Sequence, residues 1–145
     1  MTQLSDHFSL EELTTTQVRG ASNEPTSKIL ETLTDTAKRM ERVREILGQP
    51  IIVTSGYRSP LVNKIVGGSM YSAHMTGHAV DFICPKFGDP LKVCRELTDK
   101  RHDLEWDQVI EEGAWVHISF GAQMRGEVLT KTKGGYVVGL KTARS

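Results

Sequence analysis

The run WDQVIEEGAWVHISF, residues 106–120, decides the fold class. Two strand-like stretches, WDQVIEE and AWVHISF, flank Gly113 and predict a β-hairpin that turns near Glu112 to Ala114. In the second stretch, alternation puts Trp115, His117 and Ser119 on one face and Val116, Ile118 and Phe120 on the other. If the aliphatic set lines a core, His117 faces a cleft or solvent from a rigid strand, a good platform for a ligand. Before the hairpin, HAVDFIC (78–84) predicts another strand. DPLKVCRELTDKR (89–101) predicts a helix with Asp89 as N-cap and Pro90 at the first helical position.

Further out, IIVTSG (51–56) is a short β-branched run ending in glycine, the pattern of a buried strand. Ile29, Leu30, Leu33, Ala37, Met40, Val43 and Leu47 recur at helical spacing after Pro25, and Gly48 and Pro50 end that helix. SLEE (9–12) fits a capping box opening a short helix through about Thr15. Residues 56–72 form a long Gly- and Ser-rich segment without clear periodicity, the kind of connection that often carries function. Gly134 and Gly135 between EVLTKTK and YVVGL suggest a small terminal hairpin. The architecture expected is α+β, helices packed on a mainly antiparallel sheet, in one domain spanning 1–145.

Eighteen basic and eighteen acidic residues cancel, so no strong field for nucleic acid is expected. No apolar run approaches the roughly 18 residues of a membrane span. The polar, acidic N-terminus does not read as a signal peptide, which points to a cytoplasmic start. A monomer is the expected state. Cys84 and Cys94 give no disulfide framework and read as buried or free thiols, with a spatial pairing left open.

Residues able to do chemistry cluster in SAHMTGHAVDF (72–82), where His74, His78 and Asp81 lie close together. Asp81 sits between Val80 and Phe82, and a carboxylate buried there needs a partner; a metal ion or an arginine would each serve. A catalytic metal takes about three protein ligands and leaves one position open. His7 and His102 have polar surroundings and read as solvated surface histidines.

Taken together, SGYRSPLVNKIVGGSMYSAHMTGHAVDF (55–82) and WDQVIEEGAWVHISF resemble the zinc D-Ala-D-Ala carboxypeptidase family of peptidoglycan peptidases. That family includes many phage endolysins and shares its fold with the Hedgehog amino-terminal domain. The likeness begins at HFSLEEL and runs into VLTKTKGGYVVGL. Several separated motifs in order make it specific.

The resemblance implies one zinc ion held by His74, Asp81 and His117. It implies a catalytic carboxylate at Glu112, with Glu111 as the alternative one residue away. Arg58 matches an arginine that binds a substrate carboxylate or steadies the developing oxyanion, and Ser72 a substrate- or loop-binding hydroxyl. His78 falls at a variable position of the motif. Trp115 stands where some relatives carry a second histidine and is expected to form an apolar wall.

The implied activity is metal-assisted amide hydrolysis in a peptidoglycan stem peptide or cross-link. The implied role is that of an endolysin released from the host cytoplasm by a holin. The alternatives are a bacterial or prophage D-Ala-D-Ala carboxypeptidase, or a non-catalytic zinc-stabilised binding module.

Overall fold

The computed structural model describes residues 2–141; the two ends of the expected domain, residue 1 and residues 142–145, lie outside them. The elements run α1 (Leu10–Leu13), α2 (Ser27–Leu47), β1 (Ile52–Ser55), α3 (Pro60–Ile65), a 3-10 turn (Ala73–Thr76) and β2 (Ala79–Ile83). α4 (Pro90–Asp99), β3 (Gln108–Glu111), β4 (Val116–Ser119), β5 (Glu127–Thr132) and β6 (Gly135–Val138) follow. The strands form one sheet in the order β1-β2-β4-β3-β5-β6. Every neighbouring pair is antiparallel except β3 with β5, so the fold is α+β with a mainly antiparallel sheet.

Local chemistry sets the element boundaries. Ser9 and Glu12 close the capping box of α1, which ends at Leu13. Thr26 caps α2 by accepting from the Ile29 N–H, and Gly48 ends it in the left-handed conformation at φ 67°. Asp89 caps α4 through the Lys92 N–H, with Pro90 in the first turn.

The sheet has a helix face and an open face. Val80 and Phe82 of β2, Val109 of β3, and Val116 and Ile118 of β4 meet α2 (Leu33, Ala37, Met40, Val43) and α4 (Val93, Leu97) in one buried cluster. Residues one step along each strand project the other way. On that open face Asp81, His117 and Ile110 stand in a row, because Asp81 pairs with His117 across β2–β4 and Ile110 with His117 across β3–β4.

Three expectations change. β1 is not a buried strand: it is one edge of the sheet, paired with β2 alone among the described residues, and Ile52 is exposed. Leu30 lies at the margin of the α2 stripe and is exposed, whereas Thr36 lies within it and is buried. The long segment before His74 is partly ordered as α3, whose N-cap Ser59 accepts from the Val62 N–H. The terminal hairpin forms as expected, from β5 and β6, and β5 joins it to β3 in parallel, extending the open face. Both cysteines are buried thiols, with no disulfide between them among the described residues.

Candidate metal centre

Three elements bring the donors together. Asp81 and His117 are direct cross-strand partners, so their side chains emerge side by side on the open face. His117 Nδ1 lies 2.9 Å from Asp81 Oδ1. His74 arrives on the 3-10 turn, whose N-cap Ser72 accepts from the His74 N–H at 3.1 Å. Gly77 ends that turn at φ 84°, a conformation that suits a residue without a Cβ. The His74 Nδ1–H donates to the Gly56 carbonyl at 2.7 Å, and its Nε2 stands 3.3 Å from Asp81 Oδ1.

Donor atoms of His74, Asp81 and His117 all lie within 4.8 Å of one another, and all three side chains are largely buried. Tetrahedral ligands about 2.1 Å from a zinc ion stand about 3.4 Å apart, so two imidazole nitrogens and one carboxylate oxygen at this spacing fit such an ion. Burial alone raises the Asp81 carboxyl. Hydrogen bonds and charge from His117 and His74 outweigh it and hold the group well below the usual carboxylate range. Arg58 adds a further pairing, Nη2 to Asp81 Oδ2 at 3.6 Å.

These residues form the floor of a cleft of about 480 Å³ that Arg58, Ser72, Glu112 and Trp115 also line. Arg58 is held from below: its Nη1 donates to Asn63 Oδ1 at 3.3 Å, while Asn63 Nδ2 braces the loop through the Ser69 carbonyl at 2.9 Å. Glu111 and Glu112 separate as adjacent strand residues must. Glu111 pairs with Val116 on the helix face, is fully buried, and accepts from the Gly113 N–H at 2.6 Å. Glu112 turns to the cleft. Among the described residues none hydrogen-bonds the buried Trp115 Nε1, so its indole offers the cleft ring surface more than a donor.

The family model described as Peptidase M15 matches residues 6–119. The chain belongs to the peptidase M15 family. M15 peptidases are zinc-dependent metallopeptidases, and the His74–Asp81–His117 group is of the type that holds such an ion. No curated protein matches the chain.

The remaining histidines lie apart from the group. His78 bonds Thr76 Oγ1 through Nδ1 at 2.7 Å, His7 pairs with Glu41, and His102 is exposed. Sequence reasoning did not single out Tyr136, Asp107, Gln108, Arg125 or Lys131, which also line the cleft. They come from strand ends and the β5–β6 hairpin, and nothing in their local sequence marks them.

Proposed function

We propose that this M15 peptidase hydrolyses an amide bond in a peptidoglycan stem peptide or cross-link, using one zinc ion, and serves a bacteriophage as a monomeric endolysin. The observation that carries the reading is a single cleft containing a zinc-type donor set, the Glu112 carboxylate outside that set, and a fixed guanidinium. A zinc ion on His74, Asp81 and His117 would supply Lewis acidity toward water and the scissile carbonyl.

The chain's own residues do the rest. Glu112 takes the proton of the attacking water and returns it to the leaving amine; Oε2 is the oxygen left for this, since Tyr136 engages Oε1. Arg58, anchored by Asn63 and Asp81, keeps further N–H groups for a substrate carboxylate or the developing oxyanion. The Ser72 oxygen accepts from the backbone, leaving its O–H to donate to a substrate peptide. Trp115 walls the cleft.

Purified peptidoglycan incubated with the protein should release new amino groups, and a chelator should stop the release until zinc is restored. Mass spectrometry of the fragments names the bond and separates endopeptidase from carboxypeptidase. No release from any wall chemotype would overturn the enzyme reading in favour of a zinc-stabilised module. For the endolysin role, cytoplasmic expression should lyse cells only after the inner membrane is permeabilised. Lysis without permeabilisation would refute the holin-dependent route, and sedimentation tests the monomer.

A further inference from the structure

Tyr136 stands on β6, the outer strand of the sheet, opposite Lys131. It lies beyond the residues matched by the family model and is 53% exposed, so core packing does not account for its position. Its hydroxyl donates to Glu112 Oε1 at 3.0 Å across 24 positions of sequence. Both side chains line the cleft over the donor group. The contact depends on β5 pairing in parallel with β3, which lays the β5–β6 hairpin beside the turn that carries Glu112.

We propose that Tyr136 is a positioning residue for Glu112, holding one carboxylate oxygen so that the other is presented to the reacting water. The hairpin is thereby part of the active site. This rests on the reading of Glu112 as the base. Among the described residues Tyr136 is the side chain that hydrogen-bonds Glu112, whose backbone N–H is fixed separately by the Trp115 carbonyl at 3.0 Å. Without the phenol, a half-buried glutamate beside solvent has several rotamers open to it.

The phenol is suited to donating and unsuited to accepting the proton itself. Burial, then the charge of Glu112 and the bond to it, push the Tyr136 hydroxyl up to about 12, so it stays protonated at neutral pH. As Glu112 gains and then loses the proton of water, Tyr136 keeps its own, and the proton balance closes on Glu112 alone.

Tyr136→Phe in the zinc-loaded protein tests the proposal. A hydrogen bond to a charged group implies a fall in kcat of roughly 10- to 100-fold. KM, zinc content and melting temperature should stay as in the wild type. A second readout needs no activity: by NMR of ring-labelled tyrosine, Tyr136 should ionise at lower pH in Glu112→Gln than in the wild type.

Wild-type kcat in Tyr136→Phe would overturn the proposal. So would a rise in KM alone, which would make Tyr136 a substrate contact, or a Tyr136 titration indifferent to Glu112. If Glu112→Gln is inactive while Tyr136→Phe is fully active, only the positioning role falls. If Glu112→Gln keeps its activity, the base assignment falls and the positioning role with it.

Discussion

His74 Nδ1 stands 2.7 Å from the carbonyl oxygen of Gly56, and that contact fixes which nitrogen of the ring is available as a ligand. A carbonyl only accepts, so Nδ1 carries the hydrogen and the neutral ring has its lone pair on Nε2. Gly56 follows directly on β1, so the edge strand orients a side chain presented by a turn 18 residues later. Hydrogen bonds of this kind commonly orient metal-bound imidazoles.

Replacing His74 by Ala should therefore remove stoichiometric zinc. Elemental analysis after dialysis checks this, with circular dichroism to show that the fold persists. Full metal content in the variant would refute the ligand assignment. Losing a partner that only orients a ligand typically weakens metal affinity about 10- to 100-fold, so loss of a ligand itself should exceed that.

Gly68→Ala should damage the cleft more than the core. A Cβ there would collide with Asn63 Oδ1 and lie 3.0 Å from Arg58 Nη1, displacing the clasp on the guanidinium. Misplacing a positioned group costs about tenfold or more in kcat/KM, against about 1–3 kcal/mol of stability from overpacking. Steady-state kinetics alongside a denaturant melt measures both; unchanged kinetics would mean that Arg58 needs no clasp.

Thr36→Val tests how α2 supports the metal loop. The buried Thr36 hydroxyl donates to the Gly77 carbonyl at 2.7 Å, at the end of the turn that carries His74. Valine leaves that carbonyl without its partner, for an expected loss of about 1–3 kcal/mol in urea unfolding. Thr34→Val is the control, because the exposed Thr34 hydroxyl donates to the Leu30 carbonyl within the same helix; equal losses in the two variants would dismiss the tie.

The Asp107–Arg125 pair should contribute stability that acid removes. The Arg125 guanidinium donates twice to the Asp107 carboxylate and its backbone N–H once, and these bonds, against the opposing effect of burial, lower the Asp107 pKa from the ordinary 3.8. A depressed folded-state pKa means the contribution is complete above the unfolded value and disappears as pH falls below it. Arg125→Met should accordingly lower the melting temperature at pH 7 and have a diminishing effect below about pH 4. A difference that grows on acidification would contradict the sign.

Trp115→Phe should be tolerated. The indole N–H is buried with no partner among the described residues, so its removal discards a desolvated donor and keeps the aromatic wall. Stability within about 1 kcal/mol of wild type is expected by denaturant melt. A large loss would show that the N–H has a bond in solution.

The sequence by itself determined the elements whose causes are local. Ser9 with Glu12, Gly48 after α2, and Asp89 with Pro90 mark helix ends through bonds made within a few residues. Alternation in AWVHISF fixed which face His117 would share, since strand periodicity needs no partner to be read. The set His74, Asp81 and His117 was legible through the resemblance of the motifs that carry them to the zinc peptidase family, not through periodicity.

Only tertiary structure decided the rest. The Asp81–His117 pairing depends on the β2–β4 register, and the choice between Glu111 and Glu112 for the cleft depends on where β3 ends beside β4. Arg58 reaches Asp81 because Asn63 bends the loop under it. Tyr136 reaches Glu112 because β5 joins β3 in parallel, a long-range pairing whose cause lies in no single stretch of chain. Contacts between distant segments are settled by the packing of the whole sheet, and local sequence does not encode them one by one.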